Sequence, residues 1–153
     1  MAYAGPTRAL VRAWKERGLR LLVPQAADLV AECVPRPAAD VITYIPPDGD
    51  RSIKRGHQPA RDLASALGER WRLPVACLLT RTHTVARQTG LPRAERRRNM
   101  RGAFGVARAD MAGCVVLVDD VYTTGATVDA AAAALRAAGA HEVHVVTLAR
   151  AVR

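Results

Sequence analysis

The sequence predicts an α/β domain with a mainly parallel sheet flanked by helices, and three observations predict it. Short apolar runs recur along the 153 residues, at 40–45 (DVITYI), 74–79 (PVACLL), 115–118 (VVLV) and 142–148 (EVHVVTL). Unbroken runs of this length read as strands covered on both faces, as in a parallel sheet. Helical patterns separate them, and strands alternating with helices indicate parallel strands joined by right-handed crossovers. Half of the residues are hydrophobic but only 4% are aromatic, so the core has to be built mainly from Ala, Val and Leu. The length fits a single domain spanning residues 1–153, large enough to bury about 68–70% of the unfolded surface.

The elements follow in order. Residues 1–37 read as a helical N-terminal region. A basic amphipathic helix over 7–17 carries Leu10, Val11 and Trp14, and Gly18 interrupts it. Pro24 suits the opening of a second helix running to about Cys33, which Pro35 and Pro37 terminate. Lys15 and Gly18 form a local K-x-x-G, which reads as a solvated helix end or a phosphate-facing loop. The strand at 40–45 stops at Pro46 and Pro47. A basic loop with Arg51, Lys54, Arg55 and Gly56 then leads into a helix over 59–71 with Leu63 and Leu67 facing inward. Strand, basic glycine-containing loop and helix in series suit an anion, although a solvated basic turn has the same composition.

After the strand at 74–79 comes a long segment, 81–108, with eight arginines against Glu95 alone, a net +7. Connectors of that length tend to be lids or binding loops. Within it, 94–100 has the pattern of a short helix and 103–106 of a short strand. Gly139 is a natural stop for the Ala-rich helix over 128–138, and the last strand follows it.

The chemistry concentrates at 115–127, VVLVDDVYTTGAT. Asp119 and Asp120 follow the central apolar run, at the carboxyl end of a strand, where open α/β sheets place their ligands. A two-residue spacer precedes Thr123, Thr124, Gly125, Ala126 and Thr127, a small hydroxyl-rich turn at the start of a helix. The first amides of a helix lack intrahelical partners and sit at the positive end of its dipole, so such a turn suits phosphate. Two carboxylates beside it suit the vicinal hydroxyls of a sugar, or a bound Mg²⁺. Taken separately, a paired Asp can simply end a strand and a threonine can simply cap a helix. The ordered series makes a sugar-phosphate site the better account.

Charge and cysteines bound the setting. The net charge is +9, with only Lys15 and Lys54 among the lysines. That favours polyanions such as nucleic acid or pyrophosphate, while an Arg bias of genomic origin produces the same number. Cys33, Cys77 and Cys114 are widely spaced in apolar surroundings with no C-x-x-C, which argues for reduced thiols of a cytoplasmic protein. The first residues lack the apolar centre of a secretory signal, and no run of ~18 apolar residues predicts a membrane span. His57, His83, His141 and His144 are not at ligand spacing.

These motifs carry a resemblance. VVLVDDVYTTGAT is similar to the phosphoribosyl pyrophosphate (PRPP) signature of type I phosphoribosyltransferases, and the rest of the chain resembles the ComF family among them. Lys15 and Gly18, Pro46-Pro47 with Lys54-Arg55-Gly56, and Arg81-Thr82, Gln88, Leu91, Glu95-Arg96, Asn99 and Phe104 match the pattern of that family. The resemblance implies a type I phosphoribosyltransferase fold with a flexible Arg-rich loop over 81–108. It implies that Asp119 and Asp120 hold the ribose hydroxyls and that Thr123, Thr124, Gly125, Ala126 and Thr127 cradle the 5′-phosphate. Lys54, Arg55, Gly56, Arg81, Arg87, Gln88, Arg96 and Asn99 would then face pyrophosphate, with Mg²⁺ accompanying PRPP. Three departures stand out. Arg55-Gly56-His57-Gln58-Pro59 replaces the family's Arg-Gly-Phe-Asn-Gln, the N-terminal four-cysteine zinc element is missing, and Thr123 stands where 6-oxopurine enzymes often place an acid. The last argues against hypoxanthine or guanine as acceptor.

Two functions are therefore expected. One is transfer of phosphoribosyl to an unidentified acceptor with release of pyrophosphate. The other is a nucleic-acid-associated protein of the competence type that keeps the fold and binds single-stranded DNA. The fold family also implies frequent homodimers.

Overall fold

The computed structural model describes residues 20–47, 58–82, 102–107 and 113–151. A 3₁₀ turn (Arg20–Leu22) leads into α1 (Val23–Cys33), followed by β1 (Val41–Tyr44), α2 (Pro59–Trp71), β2 (Leu79–Arg81) and β3 (Phe104–Val106). β4 (Gly113–Tyr122), α3 (Ala126–Ala137) and β5 (Ala140–Arg150) complete the order. The expected helices at 7–17 and 94–100 lie outside the described residues.

Three strands form a parallel sheet in the order β1-β4-β5. The centre of β4 shows why its apolar run is unbroken. Val116 and Val118 pack with Leu63, Leu67 and Trp71 of α2 and Val30 of α1 on one face. Val115 and Leu117 pack with Val128, Ala131 and Leu135 of α3 on the other. All four β4 residues are buried, and so they obey no polar alternation. The α/β reading is confirmed as three layers.

α2 begins and ends where the sequence placed it. Pro59 occupies the first turn, where a missing amide hydrogen costs nothing, and Arg72 closes the helix in the left-handed region with φ 51°. Arg70 of α2 fastens it to α1, its Nε donating to Asp28 Oδ1 at 2.6 Å and Nη2 to the Pro24 carbonyl at 2.8 Å. Gly68 lets residues 73–75 pass close to the helix, since a Cβ there would lie 3.0 Å from the Leu73 carbonyl and overlap Val75.

The strand expected at 74–79 is corrected. Residues 74–76 make only one bridge to β1, between Ile42 and Val75, and Val75 and Cys77 are exposed. The chain then leaves the parallel sheet as the Leu78 amide turns onto the Thr43 hydroxyl at 3.2 Å. β2 pairs instead with β3 in a separate antiparallel pair. All three cysteines are free, and Cys33 and Cys77 are exposed.

Candidate phosphate-binding site

The site is created by a difference in strand length. β1 pairs with β4 only as far as Tyr44 opposite Val118, with one more bond from the Ile45 amide to the Val118 carbonyl at 3.0 Å. β4 runs on through Asp119, Asp120, Val121 and Tyr122, paired among the described residues with β5 alone, so the two carboxylates lie inside the strand and not after it. With no β1 residue opposite them, both are part-exposed at the carboxyl edge. The Asp120 amide donates to Asp119 Oδ1 at 2.8 Å, which orients the first carboxylate.

Only Thr123, Thr124 and Gly125 separate β4 from α3. Thr123 is exposed and Thr124 is 9% exposed, its Oγ1 accepting the Ala126 amide at 3.4 Å. Gly125 is the N-cap of α3 at φ 79°, and its carbonyl accepts the Asp129 amide at 2.7 Å as the helix starts. A glycine cap offers no side-chain acceptor of its own, and the start of α3 brings the positive end of the helix dipole to the carboxyl end of β4. α3 begins two residues earlier than its periodicity suggested, with Ala126 and Thr127 inside it. Asp119, Asp120 and residues 123–127 are therefore brought to one edge within one continuous stretch.

Arg81 stands at the base of the β2–β3 pair. Its Nε donates to the Pro46 carbonyl at 3.0 Å and its guanidinium lies over the Phe104 ring, 5.0 Å from the centroid. It thus ties the β2–β3 pair to the exit of β1. The Thr82 amide donates to the Ala103 carbonyl at 3.1 Å and the Thr82 hydroxyl to the Gly102 carbonyl, closing the described end of the pair. Lys54, Arg55, Gly56, Arg87, Gln88, Arg96 and Asn99, and the early Lys15 and Gly18, lie outside the described residues. His141 is exposed, and half-buried His144 lies 3.7 Å from Glu142, at a distance in sequence from the carboxylates.

Two further residues at this edge escaped the sequence reading, which took Val121 and Tyr122 as a spacer. Tyr122 lies opposite Arg150 in the β4–β5 register, and the Arg150 guanidinium sits 5.4 Å from the centroid of the Tyr122 ring. A β-period count would have put Tyr122 on the Val116 and Val118 face, whereas it packs with the α3 cluster while Val121 packs with the other; its partner 28 positions on had no local signal.

A parallel sheet whose central strand overhangs its neighbour, with paired carboxylates and a three-residue turn to a helix, defines an α/β domain with a candidate phosphate site. The chain belongs to the phosphoribosyl transferase domain family, whose pattern matches residues 53–152. It is 37% identical over 106 residues to Competence protein F of Haemophilus influenzae, across 66% of this chain and 46% of that protein. The ComF resemblance is upheld by that match, and the chain spans less than half the length of the relative. Among solved structures it is similar to a glutamine PRPP amidotransferase from B. subtilis complexed with ADP and GMP, with TM-score 0.58 and 27% identity. That similarity covers 84% of this chain and 26% of the other. A purine phosphoribosyltransferase from Pyrococcus horikoshii Ot3 shares the fold at TM-score 0.53 and 19% identity, over 85% of this chain and 73% of the other. The type I phosphoribosyltransferase fold is thus established. No described helix is long and apolar enough to cross a membrane.

Proposed function

We propose that this chain binds PRPP with Mg²⁺ and transfers its phosphoribosyl group to an acceptor nucleophile, releasing pyrophosphate. The observation that carries the reading is the overhang of β4, which sets Asp119 and Asp120 beyond β1 and next to the amino end of α3. Asp119 and Asp120 accept hydrogen bonds from the ribose hydroxyls. Residues 123–127 hold the 5′-phosphate through threonine hydroxyls and helix amides. The acceptor forms a bond to ribose C1 as the bond from C1 to the pyrophosphate oxygen breaks, and the electron pair leaves with pyrophosphate. Positive charge grows at C1 and negative charge on the leaving group, so positioning and electrostatics supply the catalysis.

No group of three or more His, Cys, Asp or Glu side chains stands ready for a metal among the described residues. Two neighbouring carboxylates instead fit a hard cation that arrives on the substrate's phosphates and keeps several waters. When bound, Mg²⁺ would neutralise charge on the pyrophosphate limb, with Asp119 and Asp120 as the protein carboxylates that would hold it. The free cysteines fit a reducing, cytoplasmic setting.

The test is calorimetric titration of Mg²⁺–PRPP into the wild type and the Asp119→Asn, Asp120→Asn double variant. Binding by the wild type and its loss in a variant with an unchanged melting temperature is the expected result. Absence of wild-type binding overturns the reading. The name Competence protein F borne by the relative supports a second reading, association with single-stranded DNA. In that case an oligodeoxynucleotide binds with steep salt dependence while PRPP does not.

A further inference from the structure

Gly125 has little room. A Cβ built on it would lie 2.8 Å from Tyr122 Cζ and 3.2 Å from Cε2, and would overlap the Tyr122 hydroxyl. The Tyr122 side chain is therefore folded back over the turn that follows it. It is part-buried and packs against the cluster containing Val128 and Leu135 of α3. Its backbone is pinned as well, because the Ala151 amide donates to the Tyr122 carbonyl at 2.8 Å. On its outer side the exposed Arg150 stacks on the ring from the neighbouring strand.

We propose that Tyr122 and Arg150 are positioning residues for the phosphate turn: Arg150 holds the Tyr122 ring against Gly125, and the ring fixes the left-handed backbone from which α3 starts. The inference rests on the reading of residues 123–127 as a phosphate site. The physical logic is direct. Glycine at positive φ reaches several backbone regions at little cost, so it does not by itself hold the helix amides in one direction. A rigid ring packed on its Cα removes those alternatives, and the cation over the ring restrains the ring's own rotation. Preorganised amides bind phosphate without first having to be ordered. Arg150 acts here through Tyr122, and its charge is not what the phosphate senses.

The experiment titrates ribose 5-phosphate into the wild type, Tyr122→Phe, Tyr122→Leu, Arg150→Gln and the Tyr122→Leu, Arg150→Gln double variant, at low and high salt, with melting temperatures alongside. Tyr122→Leu and Arg150→Gln should each weaken binding by about tenfold, as expected when groups are misplaced by a fraction of an ångström. The double variant should be no weaker than Tyr122→Leu alone, because both act through one ring. Tyr122→Phe keeps the ring and should stay within about threefold of the wild type. The Arg150→Gln loss should persist at high salt, where a direct charge effect would be screened. Unchanged binding in both single variants overturns the proposal, as do additive losses or an Arg150→Gln loss that vanishes with salt. Losses that follow melting temperature across the set overturn it too. A wild type that fails to bind ribose 5-phosphate overturns the phosphate-site reading itself, an outcome separate from the others.

Discussion

The fold contains two crossings of the same kind, from β1 to α2 and from β4 to α3, and they solve the same problem in opposite ways. The second takes three residues, with Gly125 in the left-handed region as the only departure from ordinary backbone. It is short enough that the edge it builds is continuous with the strand before it. The first begins at Ile45 and ends at Gln58, and most of it lies outside the described residues. What anchors its described start is distant in sequence: Arg81 on the Pro46 carbonyl and Val118 on the Ile45 amide. The short crossing places its candidate residues by continuity with β4, whereas the described start of the long one is held by elements that arrive later in the chain.

That contrast can be broken experimentally, and Leu117→Ala gives the largest expected effect. Leu117 is fully buried at the centre of β4, packed with α3, and truncation should cost about 2–5 kcal/mol in denaturant unfolding. Both crossings depend on β4, so protection of amides in α2 and α3 should fall together. If only α3 loses protection, the two crossings are energetically separate.

Arg81→Gln is the selective probe. It removes the bond to Pro46 and the contact with Phe104, a loss of about 1 kcal/mol for a part-buried bond. Hydrogen exchange should quicken at Tyr44 and Ile45 while the amides of residues 126–129 stay as in the wild type. Equal quickening at both places would show that the short turn also depends on the distant anchor.

The smallest effect is a pH dependence at the end of β1. Burial, with Cys77 beside it, raises the Tyr44 phenol above its ordinary value of 10.0, while Arg61 opposes the shift. A folded pKa above the unfolded one means the contribution is fully present below about pH 10 and is lost as pH rises through the raised value. Tyr44→Phe should therefore flatten the alkaline fall in melting temperature; an unchanged slope would assign it to another group.

Much of this was written locally. Pro59 and the inward Leu63 and Leu67 define α2 to the residue, because a helix is set by neighbours three and four positions away. The run 115–118 declares a doubly covered strand, and the order of Asp119, Asp120 and residues 123–127 marks the candidate site before any fold is known. The tertiary structure decided the rest. Residues 74–76 had the composition of a strand, yet strand length depends on partners, and the Leu78 amide found Thr43 while β2 found β3. β4 continues to Tyr122 because β5, from the far end of the chain, pairs with it to Arg150. The same pairing places an arginine on the ring that covers Gly125. The sequence by itself determined which residues could hold a sugar phosphate, since turn chemistry and helix starts are local. Only the tertiary structure decided how far the carboxylates project and what braces the turn, since both depend on hydrogen-bonded register between segments about thirty residues apart.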